Sequence, residues 1–388
     1  MPKSQLNDLS RSLAAFDQSS TLLAVIEMGL TGWLVAGVVP GVAREPLKKI
    51  PPDAERLMVL LNRWRGEAVK AGRTITRTVV AFEAGRDGFW LARWLIAKGV
   101  EAYVFHASSI AKSREDKPAK TDRLDTGMQK RALLGWLCGE RGHCKMAAIP
   151  SLAEEDDKRP CRERQALVAE RGRITNRLKA ALVRLGIRDF NIKVKRNWAK
   201  LDSLRTPQDE PIPAATRAEM ERQIEQLTLL QRQIEAIEAG RKKALAAAPA
   251  TDERARAIKQ LAQVHGLGLE TADLLFGEVL WRDLRDRRAV ARYAGLSGSP
   301  DESGKKRREK GLARAGNLRV RTAMIQMAWR VVNFQPGCAL VRWFEARTAN
   351  AKPLRKTMIV GLARKLLIAL WRLVKFGEVP EGLELRPA

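Results

Sequence analysis

Three short apolar runs constrain this chain most: LLAVIEMG from Leu22, TVVAFEAG from Thr78 and VEAYVFH from Val100. Each has the length of a buried strand, not of a helix, and each ends at a glycine or a polar residue. WLVAGVV follows the first run and joins it near Thr31 and Gly32, so the two read as a hairpin. Between the runs the apolar spacing turns helical. Leu57, Leu60, Leu61 and Trp64 share one face, and Phe89, Trp90, Leu91, Trp94 and Leu95 form another. Strands alternating with helices predict an α/β domain over residues 20–150.

The next stretch, residues 151–255, has no strand signal. Leu167, Ile174, Leu178, Ala181 and Leu185 recur at helical spacing, and Met220, Leu227 and Ile234 recur every seven residues. Both patterns predict long antiparallel helices or a short coiled coil, bent at the proline-bearing segment from Thr206 to Pro213. Residues 256–388 read as a mainly helical third domain. Its QVHGLGLETADLLF segment, Gln263 to Phe276, sets a G-x-G turn between two helices, as in helix–hairpin–helix elements. Arg355 to Phe376 reads as an amphipathic helix packed back on this domain.

Charge narrows the partner. The formal net charge is +27, and apolar residues make up 45% of the chain, enough for packed cores. Such an excess favours a polyanion, because each neutralised phosphate releases counterions. Between Arg282 and Arg330 fourteen Lys or Arg face five Asp or Glu. The first long helix carries Arg162, Arg164, Arg171, Arg173, Arg177, Lys179 and Arg184, a stripe that reads as phosphate-facing or solvated. The most apolar stretch, Thr21 to Ala43, is broken by Glu27, glycines and Pro40 and is a poor bilayer span. With no compact apolar leader either, a cytoplasmic protein, associated with the nucleoid when acting, is expected. Cys138, Cys144, Cys161 and Cys338 lack the paired spacing of a zinc site and read as reduced thiols.

The chemistry rests on carboxylates. KTDRLDT places Asp122 and Asp125 three residues apart at a predicted helix start, flanked by Lys120 and Arg123. Just under one turn separates them, so both project from one face. Glu27 interrupts the first apolar strand near its end, and Glu83 closes the second. Charges at the carboxyl ends of strands are where such sheets put their sites. Four carboxylates from three elements repel one another unless a divalent cation compensates, and Mg²⁺ takes hard oxygen donors. Helix-start capping is the competing explanation for the aspartates, and strand-edge solvation for the glutamates.

LLAVIEMG, VVAFEAGRDGFWLARWL and KTDRLDT resemble the N-terminal domain of the DEDD insertion-sequence transposases, the IS-one-ten family. VARYAGLSGSPDESGKKRREKGLARAGNLRVRTAMIQMAW is similar to that family's second conserved domain. The resemblance implies a RuvC-like, ribonuclease-H-type N-terminal domain that binds Mg²⁺ through Glu27, Glu83, Asp122 and Asp125. It also implies a nucleophilic serine in the second domain, here Ser303, with Ser297 and Ser299 as second choices. Expected partners are DNA, contacted through Lys120, Arg123, Arg307, Arg308, Arg314, Asn317 and Arg319, and a structured noncoding guide RNA. The acids and the serine lie far apart in the chain, so a composite site and a homo-oligomer on DNA are expected. The first acid of the family is usually Asp, whereas this chain has Glu27. A RuvC-like nuclease that cuts with activated water, or an inactive nucleic-acid-binding relative, would leave a similar pattern.

Overall fold

The computed structural model describes residues 16–85, 87–106, 109–110, 121–303, 306–312, 315–350 and 352–386; for 299–303, 306–310 and 352 it describes the backbone alone. The chain divides into two compact units, Met1–Glu155 and Asp156–Ala388.

In the first unit, β1 (Thr21–Met28), β2 (Trp33–Val38), β3 (Leu47–Ile50), β4 (Arg77–Glu83) and β5 (Glu101–Phe105) form one sheet in the order β3-β2-β1-β4-β5. β1, β4 and β5 run parallel, and β2 is antiparallel to both of its neighbours. β1 and β4 are buried on both faces, which is why they read as continuous apolar runs without alternation. Leu22, Ala24 and Ile26 pack under α1 (Ala54–Lys70) and α2 (Trp90–Ala97). Leu23 and Val25 point the other way, with Val79 and Ala81, onto Ala132, Leu133 and Trp136 of α3 (Asp122–Leu137). One glycine is demanded by this packing: a Cβ at Gly37 of β2 would lie 2.6 Å from the buried Trp64 ring.

β3 was not legible. Its sequence, LKKI, carries two exposed lysines and one pairing partner, so it shows neither an apolar run nor alternation.

After the short α4 (Leu152–Asp156), the second unit opens with α5 (Arg159–Arg184) and α6 (Ala214–Ala247). They lie antiparallel, since Arg171 Nη1 donates to Gln231 Oε1 at 2.7 Å and Arg164 Nε to Glu238 Oε1 at 2.5 Å. Ile174, Leu178 and Ala181 of one helix and Met220 and Leu227 of the other share a core, so the expected apolar seam is the buried one.

The rest of this unit has its own core. α7 (Glu253–Gln263) and α8 (Leu269–Leu275) meet at a turn where Gly266 adopts φ +88°. A π-helical turn follows, Phe276–Leu280, and then α9 (Arg287–Tyr293). α10 (Leu318–Phe334) and α11 (Ala339–Thr348) pack on α12 (Arg355–Phe376), which buries Leu362, Leu366, Leu367 and Leu370 among others. The mainly helical reading needs one correction. β6 (Gly298–Ser303) and β7 (Lys306–Leu312) form a hairpin where the sequence suggested a loop-rich basic segment. Pro, Gly and consecutive charges hid it, because such residues are depleted from strands.

Candidate functional site

The register of the first unit sets the acids. β1 and β4 pair with Ile26 abreast of Phe82, and Glu27 and Glu83 are the next residues along each strand. Both therefore stand at the carboxyl ends of adjacent parallel strands. Glu27 keeps the parity of Leu23 and Val25, and Glu83 that of Val79 and Ala81, so both face the α3 side of the sheet.

Thr121 caps α3, its hydroxyl accepting from Leu124 N at 3.3 Å. Asp122 and Asp125 occupy the first turn, where carboxylates also complement the helix dipole. The same face continues through Thr126, Gln129, Leu133 and Trp136, all buried. Asp122 is exposed, and Glu27, Glu83 and Asp125 are half-buried. Gln129 Nε2 donates to Glu27 Oε2 at 2.7 Å, tying the helix to the strand.

Electrostatics show that the four acids share one neighbourhood. Burial pushes the Glu27 carboxyl above its ordinary range; the Gln129 hydrogen bond pulls it back, and the charges of Glu83, Asp125 and Asp122 push it further up. A carboxyl repelled by three others from two different elements lies in a convergent acidic patch. All the donors are hard oxygens, the set that Mg²⁺ takes. Even so, among the described residues no three acidic, histidine or cysteine side chains stand close enough to grip one ion. The patch thus suits a cation in donor chemistry without being closed around one.

Gln129 is the residue of this patch that sequence reasoning missed. Its signal was its place, four residues after Asp125 and seven after Asp122 on one helical face.

In the second unit, a close backbone approach sets the base of the β6–β7 hairpin. Gly316 has φ +108°, and a Cβ there would lie 2.4 Å from Gly295 N. Asn317 N donates to Tyr293 O at 2.7 Å across the same junction. Ser303 is the last residue of β6, paired with Lys306. Its backbone is described, as are those of Arg307 and Arg308, and their side chains lie outside the described set, as do those of Ser299 and the whole of Lys120 and Arg314. Ser297 is half-buried beside the start of β6.

Asn317 is engaged within the protein. Its Oδ1 caps α10, accepting from Arg319 N at 3.0 Å and Val320 N at 3.3 Å. Its Nδ2 donates to Glu278 Oε2 at 3.0 Å. Glu278, buried on the π-helical turn, also accepts from Arg162 Nε at 2.9 Å and Nη2 at 3.3 Å. Burial works to raise the Glu278 carboxyl, but Arg162 and Asn317 hold it below its ordinary range. Asn317 thus ties the start of α10 to the π-helical turn.

Part of the α5 arginine stripe is paired within the protein. Arg162 meets Glu278, Arg164 meets Glu238 and Glu270, and Arg173 and Arg177 meet Glu170. Arg123 and Arg319 remain exposed; Arg319 donates to Gln165 Oε1 at 3.2 Å. The four cysteines are free thiols, and burial pushes those of Cys144 and Cys161 up to about 11, which disfavours the thiolate at neutral pH. Among the described residues no helix is long and apolar enough to cross a membrane.

Residues 258–340 match a family model described as the transposase IS116/IS110/IS902 family. That stretch contains Glu278, the β6–β7 hairpin and Asn317. A protein of Sinorhizobium fredii (strain NBRC 101917 / NGR234), provisionally named transposase y4rJ, is similar over 372 residues at 38% identity, covering 93% of this chain and 93% of that protein.

Proposed function

Since the chain belongs to the IS116/IS110/IS902 family of transposases, we propose that it cuts and rejoins the DNA strands of an insertion sequence with a Mg²⁺-dependent acidic patch and a serine nucleophile. The observation that carries this reading is the raised Glu27 carboxyl, pushed up by Glu83, Asp125 and Asp122 from two other elements. Folding brings four like charges together at a cost that stability alone does not repay. The strand order β3-β2-β1-β4-β5, with β2 antiparallel, supports a RuvC-like, ribonuclease-H-type domain.

Glu27, Glu83, Asp122 and Asp125 would hold the cation, the extra methylene of Glu27 being taken up by its tether to Gln129. Held there, Mg²⁺ would polarise the scissile phosphate and neutralise charge developing on its oxygens. Ser303 Oγ attacks phosphorus. A phosphoserine ester forms, one strand's P–O bond breaks, and the serine proton ends on the released hydroxyl. The ester retains the energy of the broken bond, so a second strand's hydroxyl can displace the serine and rejoin the DNA. Arg307, Arg308 and Arg314, with Lys120 and Arg123 on the other unit, suit phosphates as bidentate or point-charge partners.

The net charge of +27 exceeds what a short DNA contact requires and supports a second polyanion, a structured guide RNA. The α5–α6 pair offers a coiled-coil-like arm for assembly as a homo-oligomer on DNA, in the cytoplasm.

Denaturing electrophoresis of protein with labelled element-end DNA and Mg²⁺ tests the serine. Ser303→Ala should bind DNA and form no covalent adduct. An adduct that survives removes the serine, and free 5′-phosphate ends without adduct mean that water does the cutting. Asp125→Ala should abolish Mg²⁺-dependent cleavage; unchanged cleavage removes the acidic patch.

A further inference from the structure

We propose that Gln129 is a positioning residue for the acidic patch, holding the Glu27 carboxylate at the height of α3's two aspartates. The inference rests on reading Glu27 as a cation ligand and adds a residue outside the four acids.

Three observations converge on it. Gln129 is 2% exposed, yet it sits on a helix whose other buried residues are almost all apolar. Its Nε2 donates to Glu27 Oε2 at 2.7 Å, while its Oε1 is buried without a hydrogen-bond partner among the described residues. A buried amide with one end unsatisfied costs stability, so packing alone would favour an apolar side chain of the same shape. Among the described residues, the hydrogen bond that the amide makes is to Glu27, an acid at the carboxyl end of β1.

The geometry explains the use. Glu27 has one more rotatable bond than aspartate, so its carboxylate sweeps a wider arc, and Mg²⁺ tolerates poor ligand placement badly. A hydrogen bond from a side chain locked in the α3–sheet interface removes that freedom. Because Gln129 follows Asp122 and Asp125 on the same helical face, one rigid element then sets the position of three of the four acids.

The test uses the full chain and Mn²⁺ as the probe, with bound ion read by paramagnetic resonance and folding read by thermal melting of the metal-free protein. Gln129→Met keeps the shape and removes the donor. Its affinity for Mn²⁺ should fall 10–100-fold, the range for loss of a partner that orients a ligand, while the metal-free protein stays folded with a melting temperature lowered by no more than the loss of one hydrogen bond explains. Gln129→Asn, too short to reach Glu27, should lose affinity likewise, and decides the matter if the Met variant does not fold. Wild-type affinity in both variants overturns the inference, and so does unfolding of both, which would make the role purely structural. Asp125→Asn separates this from the reading beneath it. If that variant loses Mn²⁺ and Gln129→Met keeps it, the positioning role alone falls. If Asp125→Asn binds as wild type, or the wild type binds no Mn²⁺, both fall.

Discussion

Replacing Asn317 dissects the junction at the foot of the β6–β7 hairpin. The side chain makes two separable contributions, the cap of α10 and the hydrogen bond to buried Glu278. Loss of a cap costs about 1 kcal/mol, and loss of a hydrogen bond to a buried charged group roughly 1.5–3 kcal/mol. Asn317→Ser keeps a capping oxygen but cannot reach Glu278, so it should cost about 2 kcal/mol, mostly the hydrogen bond. Asn317→Ala loses both and should cost about 3 kcal/mol. Asn317→Asp keeps the cap and sets a second carboxylate where the donor stood, 3.0 Å from Glu278 Oε2. At an effective dielectric near 20 that repulsion is about 5.5 kcal/mol before Arg162 offsets part of it. The Asp variant should therefore be the least stable at neutral pH and recover ground as acid protonates the pair. Urea denaturation of the full chain at pH 7 and pH 5 gives the order. A Ser variant as stable as wild type, or an Asp variant no worse than Ala at pH 7, would refute the Asn317–Glu278 link.

The acidic patch predicts a gain of stability on mutation. The folded Glu27 carboxyl is raised above its ordinary 4.5, so the folded protein holds that proton more tightly than the unfolded chain. The wild type is thus relatively stabilised below pH 4.5 and loses that advantage as pH rises through the folded value. Glu27→Gln should melt higher than wild type at pH 7 in chelator, with the difference closing at pH 4; a variant that melts lower throughout would contradict the repulsion. At the hairpin, Gly316→Ala must accommodate a Cβ 2.4 Å from Gly295 N at φ +108° and should destabilise severely, by more than about 3 kcal/mol. Gly311→Ala, at φ +81° in open space, should cost only about 1–2 kcal/mol. Limited proteolysis with denaturant unfolding separates them, and equal losses would mean that the Gly295–Gly316 approach is not close.

Much of the first unit was legible because its elements carry strong local signals. Leu57, Leu60, Leu61 and Trp64 are the buried face of α1 as their spacing implies, and Asp122 and Asp125 do open a helix. The heptad at Met220, Leu227 and Ile234 likewise lies on the buried side of α6. The misses share a cause. β3 and the β6–β7 hairpin are built from charged or turn-forming residues and are held by backbone pairing, which leaves no period in side-chain polarity.

By itself the chain's order of residues determined the alternation of strands and helices and the cationic excess, because these follow from local periodicity and composition. Only tertiary structure decided that Glu27 and Glu83 end up level on neighbouring strands under α3, that Gln129 reaches Glu27, and that Asn317 and part of the α5 arginine stripe pair with the protein's own carboxylates. Those outcomes depend on strand register and helix packing between segments distant in the chain, where a hydrogen bond turns on a fraction of an ångström that no local pattern encodes.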